Sequence, residues 1–317
     1  MENHSRLHLD INGFRKSAAV FAKHYHVIAL QELADLIEAG EKIPDNTVVL
    51  TFDDGYASNY HLGLPVLEEF GLHATIFAST AFIEREIFQW PDRIEYAVDH
   101  TSEKRLLLDF EGLPKELGLS SRNEKSHALI TLDAALKLIP QERHLESISH
   151  IEERAGVSLL SEPNPADIYQ PLTWEQLRKL EASEFVSIGA HTHTHPILGK
   201  CTPEFARKDM ETCLELLKTK GGIETPTFAY PNGKIGDFNA STEKLLTDLS
   251  IKVAVTTEMK FNDTNANLLR LNRMGTPNNG YQADTICSGL IPFIKNLFTS
   301  NTPPTTSKPK RAYARSK

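Results

Sequence analysis

Residues 47–55 have the sequence TVVLTFDDG, in which apolar and β-branched residues lead directly into two adjacent carboxylates and a glycine. A short apolar segment bounded by turn residues is typical of a buried strand, so we expect a strand that ends at Asp53 and Asp54. Asp and Gly are also ordinary turn residues, and taken alone the pair is equally compatible with a plain turn. At a strand end, two neighbouring carboxylates can take separate tasks, one as a metal ligand and the other as a base.

The chain on either side of this stretch alternates between helical and strand-like patterns. Residues 12–40 are predicted to form a helix, a strand at residues 25–30 and a second helix. Further helices are predicted at residues 62–70, 203–219, 241–249 and 284–298, and further strands at residues 74–78, 185–190, 226–230, 253–256 and 268–274. Strands that alternate with helices through short loops favour a parallel sheet or barrel.

The region from about residue 90 to residue 167 has a different pattern, because its periods are helical and its charged residues are numerous. We interpret it as a helical insertion between two elements of the main fold, and the alternative is a solvated amphipathic cap without chemistry. The sequence therefore predicts one catalytic domain at residues 1–299, with this insertion inside it, and a disordered basic tail at residues 300–317.

Composition excludes several classes of protein. The formal net charge of −8 over 317 residues argues against a general nucleic-acid-binding protein. No stretch has the length of a transmembrane helix, and residues 1–6 lead into no apolar segment typical of a signal peptide. The three cysteines are too few and too widely spaced for a disulfide framework, which fits a reducing compartment. These features predict a cytoplasmic protein.

The basic C-terminal tail predicts a weak contact with a membrane surface. Its lysines and arginines can contact an anionic membrane surface, and the alternative is a tail that is simply solvated.

The strand predicted at residues 185–190 leads into three histidines within the sequence HTHTH at residues 191–195. His191 and His195 are four residues apart and face the same side if the segment turns helically, in which case His193 points away. Two histidines and one carboxylate, here Asp54, leave coordination positions open, as catalytic zinc sites do. A metal lowers the pKa of the water that it binds, and Asp53 can accept the proton of that water.

The loops that carry these residues follow apolar strands, and in a parallel barrel such loops gather at one face. Two histidines and one carboxylate also bind iron in some oxygenases, although the second aspartate would have no task in such a site.

Three motifs in order carry a resemblance to a known family. TFDDG at residues 51–55, HTHTH at residues 191–195 and FAYPNG at residues 228–233 resemble the three motifs of the polysaccharide deacetylases, the NodB-homology proteins of carbohydrate esterase family 4. The similarity covers roughly residues 14–275.

The resemblance implies an α/β fold, a distorted (β/α) barrel of the NodB-homology type with fewer than eight strands. It implies that Asp53 is the catalytic base and that the backbone N–H of Tyr230 holds an oxyanion. The implied ligands of a divalent metal, most often zinc, are Asp54, His191 and His195. The implied substrate-binding residues are Tyr230, Pro231 and Asn232. The implied reaction removes acetyl groups from N-acetylated sugars.

The sequence departs from the family in three places. Many members have an arginine just before the third motif, where this chain has Thr225, Pro226 and Thr227; we expect Arg273 to take its place, the alternative being a surface salt bridge. No histidine follows His195 to act as the general acid, so Asp53, once protonated, can deliver the proton instead. In related chains a strand with a Tyr-His pair often precedes the first helix, whereas this sequence starts almost at that helix. We expect either a barrel that lacks one element or an N-terminally short form.

The predicted function is a metal-dependent hydrolase that removes N-acetyl groups from an N-acetylated sugar or polysaccharide. The alternatives are a catalytically impaired carbohydrate-binding protein of the same fold and a hydrolase of a small non-sugar amide.

Overall fold

The structure, a computed structural model, describes residues 8–163, 165–275 and 280–287. In chain order, its strands are β1 (His26–Val27), β2 (Thr47–Val48), β3 (Leu50–Phe52), β4 (Ala74–Ala78), β5 (Arg105–Leu107), β6 (Glu116–Gly118), β7 (Val186–Ala190), β8 (Thr227–Ala229) and β9 (Val253–Val255). Its α-helices are α1 (Ile11–His24), α2 (Leu30–Glu38), α3 (Leu64–Phe70), α4 (Thr80–Ile83), α5 (Trp90–His100), α6 (Arg122–Leu136), α7 (His144–Ala155), α8 (Trp174–Glu181), α9 (Pro203–Leu216), α10 (Ala240–Asp248) and α11 (Gly280–Cys287).

Five parallel strands form the central sheet in the order β3-β4-β7-β8-β9, and the sheet is curled into half a barrel. Strands β1 and β2, which precede β3 in the chain, form a separate small parallel sheet. Because all five strands run the same way, their carboxyl ends meet at one edge, and the loops that follow them are brought together. The parallel sheet confirms the predicted α/β class.

The close packing of β7 against β4 requires a glycine at position 189. A Cβ atom on Gly189 of β7 would lie 2.4 Å from the ring of Phe77 on β4, which is closer than any side chain tolerates. Gly189 therefore lets the Phe77 ring lie against the β7 backbone just before the chain enters the histidine loop. Thr173 and Gln176 form the capping box that starts α8.

Several predicted elements are shorter than expected or absent. The strand predicted at residues 25–30 is limited to β1, because α2 already begins at Leu30. The strand predicted at residues 268–274 is wrong: Leu268–Arg270 is a turn of 3-10 helix, and Leu271 makes a single bridge to Val255. The Asn267 side chain accepts from the N–H of Leu269 and caps that turn, which an apolar pattern cannot reveal.

The region of the predicted insertion contains α5, α6 and α7, and also an antiparallel hairpin of β5 and β6 that the helical pattern did not predict. Its apolar side chains form a cluster of their own around Ile94, Leu132 and Ile148. Arg93 and Glu152 form a buried ion pair between α5 and α7, with Nη2 to Oε2 at 2.6 Å. The insertion's boundaries remain a prediction.

Within the described ranges, no helix has the length and apolar character needed to cross a membrane. The predicted basic tail and most of the helix predicted at residues 284–298 lie outside the described residues, and so does the membrane contact predicted for the tail.

Candidate active site

Asp54, His191 and His195 meet at the carboxyl edge of the sheet, where their ligand atoms all lie within 4.8 Å of one another. The two imidazole Nε2 atoms lie 3.5 Å (His191) and 3.3 Å (His195) from the same oxygen, Oδ1 of Asp54. This oxygen is buried and has no hydrogen-bond partner among the described residues. A buried carboxylate oxygen faced by two ring nitrogens fits a divalent cation better than it fits a hydrogen-bonded cluster.

The backbone turns that bring the histidines together are not helical. Thr192 and His195 both have positive φ, at 67° and 57°, and Asp54 has a φ of 74°. Positive φ is costly for residues other than glycine, and such strain is concentrated at functional sites. The helical turn that the sequence argument took as the condition for their meeting is absent, yet the two rings converge.

A carboxylate from α9 holds the histidine loop in place. The oxygens of Asp209 accept the backbone N–H groups of His193 at 2.7 Å and Thr194 at 3.0 Å. His193 itself faces away from the cluster, with Nδ1 2.8 Å from Oγ1 of Thr80. Asp209 was missed from the sequence, but a signal existed, because it lies on the buried side of α9 with Ala206, Met210 and Cys213.

The histidine protonation states suit metal binding. His191 Nδ1 lies 2.8 Å from the carbonyl oxygen of Ala229, and a proton on Nδ1 directs the lone pair of Nε2 toward Asp54. Burial lowers the pKa of His191, and burial together with the neighbouring His191 lowers the pKa of His195 well below its usual value. Both rings are therefore neutral near pH 7, as metal ligands must be.

The charge balance at Asp54 also favours a cation. Burial, followed by the negative charges of Asp53 and Asp92, raises the pKa of Asp54 well above its usual value. A bound cation stabilises the ionised carboxylate and offsets these effects.

Asp53 is bound by Arg273 through two parallel hydrogen bonds, Nη1 to Oδ1 at 2.7 Å and Nη2 to Oδ2 at 2.8 Å. Arg273 also donates to the Thr256 carbonyl oxygen at 2.8 Å and to Oγ1 of Thr51 at 3.1 Å. Burial is the largest single effect and opposes ionisation of Asp53, but the charge and hydrogen bonds of Arg273, together with His191 and His195, outweigh it, and the pKa of Asp53 falls to about 2. Asp53 is therefore ionised at any ordinary pH and is oriented from one side.

A cavity of about 570 Å³ opens beside the two aspartates. Its polar lining includes Asp53, Asp54, Arg273, His8, Tyr56 and Asn59. Two apolar side chains are about half exposed at the same cavity: Leu62, in the π-helical turn before α3, and Met259, in the loop after β9. A space of this size is typical of small-molecule sites.

The third motif follows β8 at the carboxyl edge of the sheet, but its residues make other contacts than the resemblance implies. The N–H of Tyr230 donates to the carbonyl oxygen of Val255 at 3.1 Å, so it is part of the strand pairing, and its predicted role as an oxyanion donor is corrected. The Tyr230 ring is buried, stacked on Phe238, and its hydroxyl donates to Leu269. Neither Tyr230, Pro231 nor Asn232 lines the described cavity. Asn232 has a φ of 59° and a buried Nδ2 without a partner among the described residues.

Comparison with known proteins gives a family match. A family model described as polysaccharide deacetylase matches residues 40–116 and 122–254. The Bacillus subtilis (strain 168) protein YxkH, whose name assigns it to the polysaccharide deacetylases, is 38% identical over 53 residues. That alignment covers 17% of this chain and 19% of YxkH.

Two solved structures share the fold. The Streptococcus pyogenes deacetylase PplD in complex with acetate has a TM-score of 0.55 and 17% identity, with 88% of each chain covered. IcaB from Ammonifex degensii has a TM-score of 0.51 and 17% identity, with 90% of this chain and 88% of that chain covered. At this level of identity the similarity concerns the fold, and it confirms the predicted distorted barrel.

Proposed function

Because this chain belongs to the polysaccharide deacetylase family, we propose that it is a metal-dependent hydrolase that removes N-acetyl groups from an N-acetylated sugar or polysaccharide. One observation carries the mechanism: the cluster of Asp54, His191 and His195 lies beside an aspartate, Asp53, that Arg273 holds ionised. The carbohydrate character of the substrate rests on the family.

Asp54, His191 and His195 would hold a divalent metal, and two histidines with one carboxylate favour zinc. When bound, the metal supplies a Lewis acid that polarises the acetyl carbonyl and makes a nucleophilic water available near neutral pH.

In this proposal Asp53 accepts a proton from the attacking water, and Arg273 fixes the orientation of the carboxylate. The low pKa of Asp53 keeps it ready as a base but makes the protonated form short-lived, so the proton is passed on quickly. The carbonyl carbon then loses its bond to nitrogen, and the products are acetate and a free amine.

Binding of the sugar by Pro231 and Asn232 remains part of the proposal. Both residues follow β8 closely at the carboxyl edge of the sheet, the edge that also carries Asp53 and His191.

The test is acetate release from N-acetylglucosamine oligomers by the wild type, by Asp53→Asn and by wild type treated with a chelator and then resupplied with zinc. Asp45→Asn is a matched control, because Asp45 is 83% exposed. We expect chelation and Asp53→Asn to abolish most of the activity, zinc to restore the chelated protein, and Asp45→Asn to be unaffected. Activity that withstands both chelation and Asp53→Asn would contradict the mechanism.

The two alternatives give different results in the same assay. Saturable binding of the oligomers without acetate release under any divalent metal would identify a carbohydrate-binding protein. Hydrolysis limited to small non-sugar amides would keep the chemistry and replace the substrate.

A further inference from the structure

A histidine–aspartate pair lies at the cavity beside the candidate active site. Nε2 of His8 is 3.0 Å from Oδ1 of Asp92, and His8 lines the cavity together with Asp53 and Asp54. The His8 side chain is 17% exposed, whereas that of Asp92 is only 2% exposed. A nearly buried carboxylate therefore holds an imidazole at the cavity surface.

Both oxygens of Asp92 are engaged. The Tyr56 hydroxyl donates to Oδ2 of Asp92 at 2.7 Å, and the His8 ring stands edge-on to the Tyr56 ring with centroids 5.3 Å apart. Tyr56 follows Asp54 by two residues, and Asp92 belongs to α5 of the insertion. The three side chains thus tie the first motif, the insertion and the segment before α1 to one another.

This pair lies at the same cavity as the reacting groups. The negative charge of Asp92 contributes, after burial and Asp53, to raising the pKa of Asp54. Of the residues that line the described cavity, His8 alone carries an imidazole. Tyr56 is a poor proton donor there, because burial followed by the charge of Asp92 raises its pKa well above its usual value.

Amide hydrolysis needs such a group, because an amine leaves readily only after its nitrogen has taken up a proton. We propose that His8, oriented by Asp92, is the general acid that donates this proton. The proposal rests on the deacetylase function proposed above, and it assigns the role that the sequence left to Asp53. Asp92 is a positioning residue, since a carboxylate on one ring nitrogen fixes the tautomer and orientation of a catalytic histidine.

The step balances as follows. Water adds to the acetyl carbonyl and gives one proton to Asp53. The C–N bond then breaks, its electron pair stays on nitrogen, and the nitrogen takes the proton of the His8 imidazolium. Acetic acid and the free amine leave, and the acid gives its remaining proton to solvent to become acetate. The proton held by Asp53 passes through solvent to His8, which restores both groups.

The decisive measurement compares two leaving groups. An N-acetylated sugar needs a protonated leaving nitrogen, whereas 4-nitrophenyl acetate releases a phenolate that needs no proton. We expect His8→Gln to lower kcat for the amide by ~100-fold or more and to leave the chelator-sensitive ester hydrolysis within ~3-fold of the wild type. Asp92→Asn should act in the same direction to a smaller extent, and Asp53→Asn should lower both reactions. His24→Gln, at the exposed end of α1, is the matched control.

A second measurement does not depend on the ester. Imidazole added to His8→Ala should restore acetate release from the sugar, in proportion to the concentration of imidazolium. Equal losses on the amide and the ester, without rescue by imidazole, would overturn the role of His8. An unchanged amide rate would do the same. Either result would leave the deacetylase function standing. A wild type that hydrolyses neither substrate would instead remove the proposed function, and the role of His8 with it.

Discussion

Arg273 and Asp53 are 220 residues apart in the sequence, yet the arginine holds both oxygens of the carboxylate at 2.7 and 2.8 Å. Arg273 is only 15% exposed, and its remaining bonds to Thr256 and Thr51 fix it between β9 and β3, the two ends of the half-barrel. Such a pair orients a carboxylate far better than an exposed salt bridge does, because the two parallel bonds fix both its position and its plane.

The first prediction concerns this pair. A lysine cannot make two parallel bonds to a carboxylate, so Arg273→Lys should keep a positive charge near Asp53 but lose its orientation. We expect kcat/KM for acetate release to fall by roughly 10- to 100-fold, with a smaller change in KM than in kcat. Steady-state kinetics on N-acetylglucosamine oligomers would measure it.

Arg270→Lys is the control, because Arg270 lies three residues before Arg273 and its ion pair is with Glu243 rather than with Asp53. It should leave kcat/KM within about two-fold of the wild type, since the Arg270 side chain is about half exposed and does not orient Asp53. Equal effects of the two substitutions would show that the geometry at Asp53 does not matter.

The second prediction concerns metal retention. His195→Gln removes a ring nitrogen 3.3 Å from Asp54 and should lower zinc affinity by at least about 10-fold, because three protein ligands become two. His193→Gln alters the same loop, but the His193 ring contacts Thr80 and not the cluster. This variant should therefore retain zinc. The readout is metal content per chain after dialysis against a weak chelator. Loss of zinc from both variants to the same degree would point to a loop effect rather than ligation.

Local patterns predicted much of this site. The strand before Asp53 and Asp54, the strand before His191 and the convergence of their loops follow from apolar segments and parallel topology. The way in which the two histidines meet did not follow, because positive φ at Thr192 and His195 leaves no periodic signal.

Contacts between distant segments were the harder part. The pair of His8 and Asp92 joins residues 84 positions apart, and no spacing rule connects them. The error at Tyr230 has a similar origin, because only strand register shows that its N–H is already bonded to Val255. Arg273 was proposed from residue type alone, and its partner became visible only in the fold.

The third prediction concerns the buried pair of Arg93 and Glu152, whose side chains are 2% and 4% exposed. Arg93→Met leaves the Glu152 carboxylate buried without its cation and should lower the free energy of unfolding by about 3–5 kcal/mol. The double variant Arg93→Met with Glu152→Met should recover much of this loss, because neither charge is then left unpaired. Urea denaturation followed by circular dichroism would give the values.

Arg105→Met provides the comparison, since the ion pair of Arg105 and Glu116 on the β5–β6 hairpin is exposed. Its effect should stay below about 1 kcal/mol. A single Arg93→Met variant as stable as Arg105→Met would mean that water reaches Glu152.

The fourth prediction concerns how stability depends on pH through His144 in the insertion. His144 is buried, its ring stands edge-on to Trp90, and its Nε2 has no partner among the described residues. Burial, followed by the charge of Arg93, lowers its pKa from 6.5 to about 4. Above pH 6.5 the ring is neutral in both states and contributes no pH dependence. Between pH 6.5 and 4 the unfolded chain takes up a proton that the folded chain does not, so stability falls as the pH is lowered.

His144→Phe keeps an aromatic ring and removes this titration. Its stability relative to the wild type should therefore rise as the pH is lowered from 7.5 to 4, by on the order of 3 kcal/mol. Urea midpoints across this range would measure the difference, and His127→Phe, on the exposed side of α6, should follow the wild-type curve. A His144→Phe curve parallel to the wild type at every pH would mean that the folded protein accepts a charged His144.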